Sequence, residues 1–451
     1  MSENKKTSAI LTAIILASLA ASLSYSFYFK IRPAVDAAAY DRIAWNLVQG
    51  NGYKENSSLS YDEDIAILRV GPGYQFFLAG IYFVFGRSYE VAWVINALLH
   101  ALTALLAYFL SKEIFRENWN RVLGFASAAF TGFSPDLITM SGMLMTETLA
   151  VFLVILLVYL FFKHINSPDR LTYLIPMALV FGFAVLTRTP SALLVLPIFY
   201  YFFTCPEHGR GGKKQWVRFF IFIAVLTAVF TPWTVRNYKI YNAFIPTTGV
   251  LGYDLLVGNH PGASGELEPY EPAERYVYEY GRTEGNKLAL KEVLSFIFFN
   301  PLEFLKITLK RISIYFSISR PTGFWFHLEG ADRAVTLVFS AIYSALIFGL
   351  GFWGVYKIKF LSNPDKEGAK LLFWLTLMAP LAVIFIIVET RYRFLIYPLL
   401  AVFAGFGLSD LFKKKLEFRP ALAIWGVLLL NGAIDGLRNL DRVAEKLKEL
   451  L

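Results

Sequence analysis

The sequence predicts an all-α integral membrane protein with about eleven transmembrane helices and further interfacial helices in its first external loop. The chain of 451 residues is 56% hydrophobic and only 17% charged, whereas a soluble domain carries about 25% charged residues. Its apolar residues gather in runs of about the 17–25 residues that a helix needs to cross a bilayer. Its lysines and arginines concentrate in the short loops between those runs, as is typical of cytoplasmic loops.

The predicted spans cover most of the chain, and 1–451 is interpreted as a single polytopic membrane domain. The first apolar run is longer than a signal-peptide core and is expected to be an uncleaved first helix. Two spans, 171–187 and 190–204, are short and are expected to be tilted or partly buried. The predicted spans are 8–29, 91–111, 120–135, 145–163, 171–187, 190–204, 218–235, 334–356, 371–388, 393–411 and 419–436.

The basic residues predict the orientation. With the N-terminus in the cytoplasm, every cytoplasmic loop is basic, provided that the short apolar segment 71–86 lies at the outer interface and does not span. The first loop 30–90, the long loop 237–333 and the amphipathic tail 437–451 then lie outside. We expect a multi-pass plasma-membrane protein with an extracytoplasmic active site. The basic residues assigned to the cytoplasmic side are Lys5, Lys6, Lys112, Arg116, Arg121, Lys163, Arg170, Arg210, Lys213, Lys214, Arg218, Lys357, Lys359, Lys366, Lys370, Lys413, Lys414, Lys415 and Arg419.

Composition excludes several classes of site. The net charge is +9, but the basic residues are scattered among membrane loops, so topology explains the charge and no nucleic-acid partner is expected. Cys205 is the single cysteine, which excludes an internal disulfide and a Cys/His metal site. The five histidines form no cluster, so no metal-ligand set is predicted. A divalent metal held with the help of Glu147 and His260 stays open.

Two acidic residues are the candidate catalytic groups. Asp36 follows the first span and starts an amphipathic helix with Tyr40 on one face; its alternative role is that of a helix N-cap. Glu147 enters an apolar helix at the external end of the fourth span. Ionisable residues at membrane depth usually face a cavity or a partner. The alternative for Glu147 is a first-turn carboxylate that complements the helix dipole.

Several arginines lie on the same predicted side as these acids. A single exposed arginine would be an ordinary membrane anchor. Several arginines that converge would form an anion site, because the guanidinium group matches phosphate oxygens bidentately. The candidates for such a phosphate-binding site are Arg236, Arg391 and Arg393, followed by Arg69 and Arg188. The further candidates for binding substrate are Tyr40, Asn237, Asn259 and Tyr392, and Glu389 lies beside Arg391.

Seven segments, taken in order, resemble the GT-C glycosyltransferases, and among them the protein O-mannosyltransferase and lipid A aminoarabinose transferase group. The segments are DAAAYDRIAWNLVQGNGY, RVGPGYQFFLAGIYFVFG, MTETL, LTRTPSALLVLP, PWTVRNYKIYNAFIP, GYDLLVGNHP and ETRYRFLIYPLLA, within roughly 10–410. The resemblance implies a sugar donor on a polyprenyl phosphate, an external acceptor, and an acid in the first external loop, which Asp36 matches. Many members have a second acid next to it; this chain has Ala37, so a paired-carboxylate metal site is not expected.

The predicted function is therefore that of a hexosyl or pentosyl transferase of cell-envelope glycosylation. It would move a sugar from a polyprenyl-phosphate carrier to a lipid, glycan or protein acceptor, with inversion and with Asp36 as base. Two alternatives stay open. A transporter or flippase of a lipid-linked or anionic substrate usually shows internal repeats and charges near the bilayer midplane. A catalytically dead relative would keep the spans and lose the acid.

Overall fold

The computed structural model describes residues 3–167, 170–204, 213–318, 326–413 and 417–440, which form helices and no strand. The α-helices are α1 Glu3–Phe29, α2 Asp36–Val48, α3 Gly73–Phe85, α4 Tyr89–Ile114, α5 Arg121–Gly132, α6 Pro135–Ser141, α7 Thr146–Asn166, α8 Leu171–Thr187, α9 Val195–Thr204, α10 Lys213–Tyr241, α11 Leu251–Gly258, α12 Glu271–Phe299, α13 Pro301–Tyr315, α14 Gly330–Lys357, α15 Asp365–Ile384, α16 Tyr397–Lys413 and α17 Phe418–Arg438. Short 3-10 segments cover Ala66–Leu68, Thr189–Leu194, Ile358–Phe360 and Thr390–Ile396.

Eight helices in the described ranges are long and apolar enough to cross a membrane. The prediction of an all-α, multi-pass membrane protein is confirmed, but the count of eleven is not. The helix in the predicted span 120–135 has only 12 residues, and the spans 171–187 and 190–204 form shorter apolar helices. The eight helices are Lys5–Phe29, Tyr89–Ile114, Thr146–Asn166, Lys214–Tyr241, Gly330–Phe360, Asp365–Ile384, Thr390–Lys413 and Phe418–Arg438.

Helix α16 forms the centre of the molecule, packed between α14 and α5. Small residues permit the close approach of these backbones. A Cβ added at Gly354 would lie 2.1 Å from the carbonyl oxygen of Phe403, and one at Gly405 would lie 2.5 Å from the Ser127 hydroxyl. Helices in lipid associate through such close packing, because lipid tails are as apolar as leucine and give no hydrophobic drive.

The loop 30–90 packs on the C-terminal end of α8. Its helix α2 is amphipathic as predicted, with Tyr40, Ile43 and Ala44 buried against α3. A Cβ at Gly71 would lie 2.1 Å from the carbonyl oxygen of Leu186, so glycine is required for this contact. The loop is thereby held next to Arg188, the residue that follows α8.

The long loop 237–333 contains helices α11, α12 and α13. The buried guanidinium of Arg311 on α13 donates to the carbonyl oxygens of Gly258, Gly265 and Ile384 and to the side chain of Asn259. It therefore ties α13 to the end of α11 and to the end of α15. Burial lowers the pKa of Arg311 to about 10.

Some predicted features fall where the structure gives no description. Cys205 and Arg210 lie outside the described residues, as do Lys414 and Lys415. The predicted amphipathic tail 437–451 is described only to residue 440. The interfacial position of 71–86 and the orientation of the chain stay predictions, although α3 forms within that segment.

Candidate functional site

Asp36 lies between two guanidinium groups. It is the first residue of α2, and the N-cap position belongs to Val35, so the N-cap alternative is not supported. Arg69 donates from Nη1 to Asp36 Oδ1 over 3.4 Å, and Arg391 donates from Nη2 to Oδ2 over 3.2 Å. The Asp36 side chain is 22% exposed, so the carboxylate is held in place and still reaches solvent.

The backbone next to Asp36 is strained. Val35 has a φ of 49°, in the left-handed region that β-branched residues rarely adopt. Strain of this kind persists only where the surrounding structure imposes it, and it gathers at functional sites.

Glu147 forms a buried ion pair at the start of α7. Its side chain is 2% exposed, and its Oε1 lies 2.6 Å from Arg188 Nη1 and 3.5 Å from Arg391 Nη1. Thr146 donates to the other carboxylate oxygen over 3.2 Å. Because Glu147 is engaged by two arginines, it balances and orients them. Glu147 also lies in the first turn of α7, where a carboxylate complements the helix dipole, so this alternative role is compatible with the ion pair.

Arg391 connects the acids of the site. Besides Asp36 and Glu147, it contacts Glu389, with its Nε 2.5 Å from Oε2. Arg391 lies in the 3-10 segment between α15 and α16, and Glu389 is the residue directly before that segment. The guanidinium of Arg188 lies 5.0 Å from the ring centre of Tyr392, a distance typical of a cation–π contact.

Arg69 links Asp36 to a second acid that the sequence analysis did not select. Its Nε and Nη2 donate to Glu55 Oε2 over 3.0 Å and 2.9 Å, and Glu55 also contacts Arg42. The backbone carbonyl of Arg69 accepts from Thr248 over 2.7 Å. Glu55 lies in a polar loop without periodicity, so no sequence signal marked it.

Asp254 is a further acid that the sequence analysis did not select. It lies in the first turn of α11. Burial, and then the neighbouring carboxylates of Asp36 and Glu389, raise its pKa to about 7. Its segment, GYDLLVGNHP, contributed to the family resemblance, but only the folded loop brings this acid within electrostatic influence of Asp36 and Glu389.

Tyr40 lies in the wall of the site. Burial, and then the Asp36 carboxylate, raise the pKa of its hydroxyl well above the usual range. Its ring meets that of Tyr74 edge to face at 5.7 Å. Tyr40 therefore remains a neutral donor next to Asp36.

Arg236 lies in a different environment. Its guanidinium is surrounded by four aromatic rings at 4.9–5.8 Å and donates to Asn237 over 2.8 Å. Asn237 is buried and donates to the carbonyl of Ile245. Within the described part of the chain, Arg236 makes no contact with Asp36 or Glu147. The surrounding rings belong to Tyr53, Tyr61, Trp233 and Tyr241.

Arg393 and Asn259 are also engaged elsewhere. Arg393 is fully buried, donates to the Ser317 carbonyl over 2.5 Å, and lies 4.0 Å from Asp136 Oδ2. Asn259 is bound by Arg311. The structure thus brings Arg69 and Arg391 to Asp36, and Arg188 and Arg391 to Glu147. It leaves Arg236, Arg393 and Asn259 in separate contacts.

No group of three or more His, Cys, Asp or Glu residues that would hold a metal ion occurs in the described ranges. The oxygens of Asp36 and Glu389 instead face guanidinium groups. The residues around Asp36 therefore do not fit a metal centre, and no chemical step is assigned to one.

Comparison with a family model links part of the chain to a known sequence family. Residues 69–235 match the model described as dolichyl-phosphate-mannose-protein mannosyltransferase. The matched range contains Arg69, Glu147 and Arg188 and ends before Arg236. No curated protein matches the chain in sequence.

Solved membrane enzymes share the fold at low sequence identity. The oligosaccharyltransferase of Archaeoglobus fulgidus in its apo form aligns with 95% of this chain and 54% of its own, at 14% identity and a TM-score of 0.53. The archaeal oligosaccharyltransferase AglB from Archaeoglobus fulgidus, in complex with an inhibitory peptide and a dolichol-phosphate, aligns with 94% and 54%, at 12% identity and a TM-score of 0.51. This chain thus spans about half the length of those oligosaccharyltransferases.

A second kind of enzyme shares the same architecture. ArnT from Cupriavidus metallidurans, bound to undecaprenyl phosphate, aligns with 96% of this chain and 64% of its own, at 15% identity and a TM-score of 0.50. The described helices therefore have the fold of the GT-C glycosyltransferases, which confirms the resemblance found in the sequence.

Proposed function

We propose that the protein is a membrane glycosyltransferase that moves a hexosyl or pentosyl group from a polyprenyl-phosphate carrier to an acceptor on the extracytoplasmic side. One observation carries the proposal: the Asp36 carboxylate is held between Arg69 and Arg391, and Arg391 also contacts the Glu147 carboxylate that pairs with Arg188. A base and several phosphate-matching cations thus share one partly open site at the predicted outer ends of the spans.

The reaction requires a proton acceptor at the acceptor hydroxyl. The hydroxyl oxygen bonds to the anomeric carbon while its proton passes to Asp36. The bond from that carbon to the phosphate oxygen breaks, and its electron pair leaves with the lipid phosphate. A single displacement of this kind inverts the anomeric centre, as in inverting glycosidases with the acceptor in place of water.

The arginines stabilise the leaving group. Negative charge develops on the lipid phosphate as the glycosidic bond breaks, and fixed cations aimed at that charge lower the barrier. Arg69 is the most open of the three, at 26% side-chain exposure, whereas Arg188 and Arg391 are buried with Glu147. We assign first contact with the phosphate to Arg69 and the fixed positive potential to Arg188 and Arg391.

A lateral groove suits the carrier tail. It has a volume of about 550 Å³ and lies between α9 and α15. Its lining is mostly apolar and includes Leu196, Trp374 and Met378, with the charged Glu367 and Lys370 near the start of α15. The 3-10 segment that starts directly after Arg188 leads into α9. A lipid whose phosphate lies near Arg188 would therefore find an apolar path beside the same chain segment. Two of the similar solved structures hold dolichol-phosphate and undecaprenyl phosphate, which supports a polyprenyl phosphate here.

The test is release or transfer of sugar from a panel of radiolabelled polyprenyl-phosphate sugars by the protein in reconstituted membranes. We expect the wild type to turn over at least one donor and Asp36→Asn to lose about 10²–10⁴-fold of that rate. Asp62→Asn is the matched control, because it makes the same change at an exposed position of the same loop. Equal turnover by wild type and Asp36→Asn would remove Asp36 as the base. Movement of the lipid across the bilayer without turnover of any donor would favour a flippase.

A further inference from the structure

We infer that a polar pocket in the first external loop is an acceptor subsite for a neutral glycan. The pocket holds one sugar ring of that glycan, and a ring one or two units away receives the new sugar. The inference rests on the proposed function and adds to it the chemical class of the acceptor. The pocket has a volume of about 590 Å³, within the range of about 300–1,000 Å³ of small-molecule sites. Its main lining residues are Arg42, Trp45, Asn46, Glu55, Glu63 and Arg87.

The pocket walls are fixed before any ligand binds. The Asp64 carboxylate accepts from the backbone N–H groups of Glu55, Asn56 and Ala66 over 2.7–3.0 Å. The buried Asn46 amide on α2 donates to the carbonyl of Lys54 over 2.9 Å. These bonds attach the loop to α2, so binding of a ligand costs little entropy for ordering the loop.

One wall of the pocket is fixed by a second buried acid. Arg87 donates from Nε to Asp41 Oδ1 over 3.2 Å and from Nη2 to Oδ2 over 2.5 Å. Tyr82 and Tyr89 donate to the same carboxylate. The Arg87 guanidinium lies 5.8 Å from the Trp45 ring centre, so the indole is held as one face of the pocket.

The lining suits a polyhydroxylated, uncharged ligand. The partly exposed Trp45 offers an apolar face for the C–H side of a sugar ring, as aromatic side chains do where one side of a ligand is apolar and the other polar. Arg42, with 49% of its side chain exposed, offers a fork of donors, and Glu55 and Glu63 offer acceptors. The carboxylates of Glu55 and Glu63 would repel an anionic ligand, and the guanidinium groups of Arg42 and Arg87 would repel a cationic peptide.

The pocket lies within reach of the catalytic candidate. Arg42 and Trp45 follow Asp36 by six and nine residues on one helix, which at 1.5 Å per residue places them about 9 and 14 Å along its axis. That separation exceeds a single ring and matches a short oligosaccharide. Glu55 contacts Arg42 on the pocket side and Arg69 on the other, and Arg69 contacts Asp36. The pocket and the site thus share a continuous chain of ion pairs.

The test uses saturation-transfer NMR on the full chain in nanodiscs with three probes: mannobiose, cellobiose and N-acetylchitobiose. We expect at least one disaccharide to bind the wild type, and Trp45→Ala to bind it about tenfold more weakly, because one aromatic contact is lost. Trp216→Ala, which makes the same substitution at an exposed indole of α10 outside the pocket, is the control and should bind as the wild type does. Arg42→Ala should also weaken binding, and it serves if Trp45→Ala does not fold.

Disaccharide binding requires no sugar donor. The glycan subsite and the proposed transferase function can therefore be contradicted independently of each other. If no disaccharide binds, or if Trp45→Ala and Arg42→Ala bind as the wild type does, the glycan subsite is contradicted. Binding of an uncharged serine- and threonine-containing peptide in place of sugars, lost in Trp45→Ala, would overturn the glycan class. Donor turnover by the wild type, measured in the same preparation, then reports on the proposed function alone.

Discussion

Arg391 is the residue at which the charges of the site meet. Its guanidinium contacts Asp36, Glu147 and Glu389, acids that belong to widely separated parts of the chain. Each of these residues is visible in the sequence, because a charged side chain at the edge of an apolar run stands out. Their pairing is not visible, because it depends on how α2, α7 and the segment before α16 pack together.

Removing the buried acid should destabilise the fold. Glu147→Gln leaves the buried Arg188 guanidinium without its carboxylate at 2.6 Å, and breaking a buried pair by removing one partner costs about 3–5 kcal/mol. We expect a lower melting temperature in detergent and lost donor turnover. Glu90→Gln, an exposed glutamate in the first turn of α4, is the control. An unchanged melting temperature for Glu147→Gln would show that the pair does not support the fold.

Asp254 should make stability depend on pH. Its folded pKa is about 7, above the ordinary aspartate value of about 3.9, so the folded state keeps a proton that the unfolded state has lost. The free energy of unfolding therefore falls as the pH rises from about 4 to about 7. Asp254→Asn mimics the protonated form and should remove this loss.

The measurement is thermal unfolding of wild type and Asp254→Asn at several pH values. The variant should be more stable than the wild type at about pH 8, and the difference should shrink towards about pH 4. Asp62→Asn, at an exposed position of the loop 30–90, should show no such trend. A difference that is constant across the range would contradict the raised pKa of Asp254.

At the scale of elements, the length of continuous apolar runs predicts the long helices well. The ends of α4, α7 and α14 lie within a few residues of the predicted spans, because an apolar run bounded by polar loops has one stable form in lipid. The helices of the long loop 237–333 were not predicted one by one. They are joined by side chains such as Arg311, whose partners are backbone carbonyls that carry no sequence signal.

Arg311 should hold the long loop in place. Arg311→Met removes the donors to the carbonyls of Gly258, Gly265 and Ile384 and leaves buried acceptors unpaired, at about 1–3 kcal/mol each. We expect faster hydrogen exchange in 258–265 and at the end of α15, with α16 unchanged. Lys306→Met on the same helix is the control, because its side chain is exposed. Equal exchange in both variants would contradict the role of Arg311.

At the scale of the whole molecule, composition and loop charge are enough to predict an all-α membrane protein. The sequence predicts the number of spans less well. Helices α5 and α9 are short, so their positions depend on the helices against which they pack. For the site, the sequence marks Asp36, Glu147, Arg69, Arg188 and Arg391. It also marks Arg236 and Arg393, which pack elsewhere, since position at a helix end does not reveal the direction of a side chain.

The central claim is that Asp36 takes the proton while Arg69 contacts the lipid phosphate and Arg391 contributes to the fixed positive potential around it. The most direct test measures undecaprenyl-phosphate affinity and donor turnover together in Asp36→Asn. Because the substitution releases two guanidinium groups from a carboxylate, we expect turnover to fall about 10²–10⁴-fold with lipid-phosphate affinity equal to that of the wild type or tighter. Parallel loss of affinity and turnover would contradict this division of roles and make Asp36 a structural support of the phosphate site.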